Sequence, residues 1–562
     1  MARDWGLLVR ATVSQVRGWR PEEAAAASDA LAVANLTFAE AMRVVGRRVD
    51  AVVEGWRGAA ATAGALRAYE SQLAANHLGA AVLGIADALA EAGGLAGVRE
   101  SVLDIEAEAG DHGCVVGEDG SVAAPHADTG NAALDLALQV CFDARAQVLQ
   151  ARLISLLETA GEIDARVGAR LTTAVESLVA LRHAPQGTGM SRAVADIIDG
   201  RAAMPEDPKA VCALWDSLSP ADRDALFAYD PTLGGRDGIP VLDRDFYNRQ
   251  ELERLRTTTA SRLAILDGEH PEWARRDELP TTSEEWIRLR PWEAERVELS
   301  TRLAEYEIVA RDLEPGRYLL GVDDHSHGII ALGNPDAARN IATFVPGTGA
   351  TLSDIEEGIA RATTLRSAAE AADHRARTAV IAWYGYDAPP DLLAATSDRA
   401  ADAGAPQLDR FEQGLRVTHR EAPAHTVVVG HSYGTTLIGA AAAHGNSLAA
   451  DDLILAGSPG LDVDRVTDLR LDGISPDRNG SHVFATAAPG DPVPAFGRFV
   501  HGPEPTDPGF GATVFESAGP AANFPLMPDI PVFPWAHGNY WESGNPGLIR
   551  QGEVITGTYY QR

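Results

Sequence analysis

The stretch HTVVVGHSYGTT, residues 425–436, restricts what this chain can fold into more than any other. Thr426 to Val429 are β-branched and favour a strand, because two heavy atoms on Cβ limit χ1 in a helix. The run leads into Gly430-His431-Ser432-Tyr433-Gly434, a G-x-S-x-G sequence, and the Ala-rich segment after it has helical composition. A strand that turns this sharply into a helix is crowded at the corner. Glycines on both sides relieve the crowding, and Ser432 is then lifted above the strand ends, beside the positive end of the helix dipole. A small residue at a helix–sheet corner is the plain alternative. The strand before and the helix after favour a nucleophile.

Further short apolar runs share this character: 341–350 (IATFVPGTGA), 378–389 (TAVIAWYGYDAP), 451–460 (DDLILAGSPG), 482–491 (HVFATAAPGD) and 511–517 (GATVFES). Helical segments separate them, which predicts a mainly parallel sheet with crossover helices, an α/β domain over residues 314–562 that opens on a hairpin at 316–334. Residues 1–182 read instead as long amphipathic helices, interrupted by a small β-hairpin near 111–125. Residues 183–313 read as a linker and second helical region.

A serine hydroxyl is a weak nucleophile at neutral pH, so it needs an imidazole base and a carboxylate to orient that base. In a fold of this kind the acid and the histidine follow the serine in the chain. Asp491 ends an apolar run, where a carboxylate sits in the loop at a strand's C-terminal end; Asp462 and Asp464 are the reserves. Among the later histidines, His482 opens a strand, His501 precedes the last expected strand, and His537 follows it and can return over the sheet. His537 is therefore the expected base. His444 lies too near Ser432 on the following helix, and His431 is expected to shape the corner. The oxyanion of an acyl transfer needs backbone donors: Tyr433 supplies one by position, and Gly347, Thr348 or Gly349 after the preceding β run the other, with Thr348 favoured.

Composition excludes several alternatives. With 48 Lys and Arg against 80 Asp and Glu among 562 residues, the net charge of -32 repels phosphate backbones and anionic headgroups, so no nucleic-acid partner is expected. Cys114, Cys141 and Cys212 form no zinc spacing, though Cys114 and Cys141 leave one disulfide open. Asp323, Asp324, His325 and His327 crowd together, yet they fall in the expected hairpin turn, where polar residues belong. No metal is expected. GTGMSR at 187–192 lacks a P-loop lysine, and no cofactor is expected. The N-terminus has no Sec signal pattern and no stretch reads as a transmembrane span, which leaves a cytoplasmic location or export by another route.

Several motifs in order carry a family resemblance. AWYGYDAP, VVVGHSYGTTLIGAAA, LAGSPG and HGNYW resemble the actinobacterial α/β-hydrolase family DUF1023 over roughly residues 310–555. Upstream, the elements at Trp215, Asp237 and Arg244 are similar to the segment before the hydrolase domain in that family, although RDFYNR carries aromatic residues where small ones are common. The resemblance implies an α/β-hydrolase fold with a serine nucleophile at Ser432. Trp56-Arg57-Gly58 also resembles the turn of WXG100-like helical hairpins, which implies an association with type VII secretion.

The expected function is a cofactor-independent serine hydrolase of a small-molecule ester, acyl or lipid-like, with Trp383, Tyr384, Tyr386 and Tyr433 as candidate lining of an acyl pocket. The alternative is a non-catalytic or type VII-associated scaffold whose N-terminal helices bind a protein partner.

Overall fold

The computed structural model describes residues 10–54, 75, 77–79, 81–183, 191–275, 283–314, 316–420, 423–519 and 535–560. The chain divides into two compact units, Met1–Thr188 and Gly189–Arg562.

The first unit is helical. Its opening helix, Val13–Gly18, begins at a capping box in which Thr12 accepts from Gln15 N and Gln15 returns the bond to Thr12 N, satisfying two donors that a helix start leaves open. Long helices follow at Pro21–Glu54, Leu95–Asp111 and Ala132–His183. Val102, Ile105 and Ala109 pack against Leu149, Leu153 and Leu157, which recur every four residues and so line one helix face. Val115–Val116 (β1) pairs antiparallel with Val122–Ala123 (β2). The Trp56-Arg57-Gly58 turn lies outside the described residues. The stretch His77–Asp111 is long and apolar enough, at a mean hydropathy of 1.5, to cross a membrane by length and composition, a test that core helices also pass. All three cysteines are free thiols.

The second unit is built on an eight-stranded sheet. In chain order its strands are β3 (Arg317–Val322), β4 (Gly328–Leu332), β5 (Asn340–Val345), β6 (Thr378–Tyr384), β7 (His425–His431), β8 (Asp452–Ala456), β9 (Val483–Thr486) and β10 (Thr513–Val514). Their spatial order is β10-β9-β8-β7-β5-β6-β4-β3. The pairs from β6 through β10 are parallel, while β4 runs antiparallel to both β3 and β6. Successive side chains of a strand point to opposite faces, and both faces here are apolar. Val428, Leu453, Leu455 and Ala485 join one core with Leu408, Phe411, Leu437 and Ile438 of the helices Arg399–Thr418 and Tyr433–Ala442. Val427, Val429, Ile454 and Phe484 join the other with Ile359, Leu365, Leu548 and Val554 of Ile355–Ala372 and Pro546–Ile555.

The helices before the sheet are not a separate linker region. Leu252 and Leu255 of Val241–Glu269, with Tyr306 and Val309 of Ser283–Asp312, share the second core with Leu319 and Val322 of β3. Arg244, buried, donates to Leu320 O at 2.8 Å and to Asp237 at 3.1 Å, and Asn248 donates to Leu319 O at 3.0 Å. These contacts seal the edge strand, which would otherwise present unpaired backbone groups. The chain leaves β5 to form β6 on one side and then crosses to form β7 on the other. The C-terminal ends of β5 and β7 therefore flank the switch point where ligands bind in open α/β sheets.

Candidate active site

Ser432 stands at that switch point with φ 54° and ψ -130°, a backbone region that a non-glycine residue occupies only when its surroundings hold it there. Its N–H donates to Ala456 O at 3.0 Å, tying the corner to β8. The flanking glycines have a steric reason. A Cβ at Gly434 would clash with the Val345 carbonyl and lie 2.7 Å from Pro346 O, and one at Gly430 would lie 2.6 Å from Ile438 Cδ1. Helix Tyr433–Ala442 thus rests directly on the backbone at the end of β5. Among the described residues Ser432 Oγ makes no hydrogen bond, so the hydroxyl is uncommitted.

Gly347 lies against the corner. A Cβ there would be 2.7 Å from Ser432 Cβ and 3.1 Å from Tyr433 N, so only glycine allows the loop after β5 to come this close. Thr348 is next in that loop, partly buried. The loop's backbone is held from outside: Tyr386 donates to Pro346 O at 2.9 Å, and Gly349 N donates to Pro389 O at 2.8 Å.

The structure brings Asp491 and His537 together, with Asp491 Oδ2 2.8 Å from His537 Nδ1. The Asp491 side chain is 0% exposed, and a buried carboxylate is costly unless donors surround it. Two more do: Tyr540 donates to Oδ2 at 2.5 Å, and Val493 N donates to Oδ1 at 3.0 Å. Tyr540 in turn accepts from Ala488 N at 3.0 Å. Burial first, and Asp491 beside it, push the Tyr540 phenol far up, so it remains a donor at neutral pH. A carboxylate on Nδ1 fixes the His537 tautomer and leaves Nε2 as the basic nitrogen. Among the described residues Nε2 has no partner. The His537 ring lies 4.5 Å from that of His431, the residue before Ser432.

The other histidines are committed elsewhere. His501 holds Asp462 at 3.2 Å through Nδ1 and donates from Nε2 to Ala395 O at 2.8 Å, so neither nitrogen is free. Asp462 is accordingly the partner of His501, not of His537. His482 bonds Asp452 at 2.8 Å, at the N-terminal edge of the sheet. His444 is exposed beyond the helix that follows Ser432. His327 bridges Asp323 at 2.8 Å and Asp387 at 3.2 Å within the hairpin turn of β3 and β4.

The expected aromatic lining is corrected by burial. Trp383, Tyr384 and Tyr386 sit inside the cores, and Tyr384 spends its hydroxyl on Asp354 O. Tyr433 also points away from the corner: it donates to Ser397 O at 2.5 Å and accepts from Ala401 N at 3.2 Å. Sequence reasoning missed Tyr540. Its one signal was a place three residues after His537, which reads as packing until the fold brings its hydroxyl to Asp491.

A family model described as an alpha/beta hydrolase matches residues 323–500, a span that contains Ser432 and Asp491 and stops short of His537. Among curated proteins, the Mycobacterium tuberculosis uncharacterized protein Rv2079 is 28% identical over 391 residues, covering 61% of this chain and 54% of that protein. The uncharacterized proteins Rv0963c of Mycobacterium tuberculosis and Mb0988c of Mycobacterium bovis are each 31% identical over 207 residues, covering 34% of this chain and 74% of theirs. The chain thus spans about half the length of Rv2079.

Proposed function

Because the chain belongs to the family it shares with Rv0963c and Mb0988c, and carries an alpha/beta hydrolase domain, we propose that it is a serine esterase acting through an acyl-enzyme. In this reading His537 Nε2 takes the Ser432 proton as Oγ attacks the ester carbonyl, while Asp491 stabilises the imidazolium that forms. The developing oxyanion is held by the N–H of Tyr433 and one from Gly347 or Thr348. His537 then protonates the leaving alcohol, the acyl group stays on Oγ, and water activated by the same imidazole releases the acid. The observation that carries the reading is the Asp491–His537 pair, whose imidazole packs 4.5 Å from the ring of His431, the residue before the strained Ser432.

We assign the substrate to acyl or lipid-like esters. In support, Leu392, Leu393, Phe496 and Phe499 are exposed, and His501, which donates to Ala395 O, packs edge-on to Tyr433 at 5.7 Å. Exposed apolar side chains of this kind suit an acyl chain. A fluorophosphonate probe tests the enzyme: labelling of the wild type that is lost in Ser432→Ala supports it, and a folded wild type that stays unlabelled refutes it.

For the helical unit we keep the reading of a partner-binding, type VII-exported module. It is supported by Leu134, Leu136, Val140 and Val148, all exposed on the helix Ala132–His183. Export that persists in a host lacking a working type VII system would count against it.

A further inference from the structure

We propose that His431 is a positioning residue for the base: as a neutral imidazole it donates from Nε2 to the backbone carbonyl of His537 and holds the segment that carries the base against the serine corner. The inference rests on the catalytic reading of Ser432, His537 and Asp491. Position 431 is a variable letter of the G-x-S-x-G sequence, so the motif itself gives it no role. Here it ends β7 with its side chain buried, 2.8 Å from His537 O through Nε2. Its Nδ1 faces Arg361 Nη1 at 3.5 Å.

The two neighbours have opposite and fixed polarity. A carbonyl oxygen only accepts, so Nε2 must carry the hydrogen; a guanidinium only donates, so Nδ1 must be bare. One neutral tautomer satisfies both. Burial pushes the imidazole well below its usual range, and the nearby His537 ring and Arg361 push it the same way, against the smaller opposing pull of the bond to His537 O. Arg361 is itself held, by an ion pair to Glu357 and by the faces of Trp541 at 4.9 Å and Phe344 at 5.6 Å. Trp541 packs edge-on against His431 at 4.9 Å. The base is consequently gripped at two points: Asp491 orients its ring through Nδ1, and His431 holds its backbone while packing against that ring at an interplanar angle of 33°. Fixing a reacting group to a fraction of an ångström is worth about 100-fold in rate.

The test uses the full chain. Histidine-ring 15N NMR should show His431 as the neutral Nε2–H tautomer throughout pH 5–8. His431→Ala should lower kcat about 10- to 100-fold with KM within about twofold, because no substrate-binding surface changes. His431→Gln, which retains a side-chain N–H donor, should recover most of the loss, and Arg361→Gln should lower kcat through the same contact. If His431→Ala fails to fold, the Gln and Arg361 variants and the wild-type spectrum still decide. Titration of His431 within that range, a proton on Nδ1, a folded His431→Ala with wild-type kcat, or a His431→Gln as impaired as His431→Ala would each overturn the inference. A wild type that no fluorophosphonate labels would sink the esterase reading instead, while the NMR tautomer still reports on His431.

Discussion

Asp491 Oδ2 carries two short bonds, one to His537 and one to Tyr540, and that division sets what single substitutions should do. Asp491→Asn should leave the fold intact yet lower kcat about ten-thousandfold, because an amide no longer enforces the tautomer that makes Nε2 basic. Tyr540→Phe removes a donor from a wholly buried carboxylate and an acceptor from Ala488 N, and should cost about 1–3 kcal/mol in urea unfolding. Asp491 and His537 could be picked out as a candidate pair because chain order after the serine leaves few alternatives. Tyr540 and Arg361 were not. A tyrosine beside tryptophans and an arginine on a helix have many ordinary explanations, and only the folded chain brings one hydroxyl to Asp491 and one guanidinium to His431.

Between elements, helix Tyr433–Ala442 comes close against the end of β5, where Gly434 meets the Val345 and Pro346 carbonyls. Gly434→Ala should destabilise the protein by about 1–3 kcal/mol, seen as a lower urea midpoint at unchanged m-value, because backbone atoms must retreat to admit the methyl group. Beneath the sheet, helix Arg399–Thr418 buries Glu412 completely. Burial pushes this carboxyl from 4.5 up to about 8, against the opposing pull of the Thr343 hydroxyl. Folded chains then hold one proton more than unfolded ones between those values. The stability Glu412 confers is therefore complete below pH 4.5 and is lost as pH rises through about 8. Glu412→Gln should remove about 3–5 kcal/mol of that decline, read as a flatter Tm profile than wild type from pH 5 to 8.5. The strands themselves were readable from their β-branched runs, and the hairpin of β3 and β4 from the polar turn at Asp323–His327. Strand order was not, since each parallel run looks alike until crossover helices place β7 beside β5 and β6 on its other side.

At the scale of the molecule, every core that supports the serine corner lies within Gly189–Arg562. Residues 189–562 alone should fold and turn over a short-chain ester within about threefold of the full-length kcat/KM, a change of about 0.65 kcal/mol at most. The change from helical to α/β character near residue 314 could be read from hydrophobic periodicity. The attachment of helices Val241–Glu269 and Ser283–Asp312 to the sheet could not, because an amphipathic face shows that it needs cover without showing what covers it. Acyl transfer at Ser432 requires residues more than a hundred positions apart in the chain to converge on one hydroxyl. A crystal structure of the fluorophosphonate-treated protein tests that convergence most directly. It should show phosphorus bonded to Ser432 Oγ, His537 Nε2 within hydrogen-bond reach of that oxygen, and the phosphoryl oxygen facing the Tyr433 N–H. An adduct on any other residue, or one on Ser432 with His537 turned away and no other imidazole in reach, would contradict it.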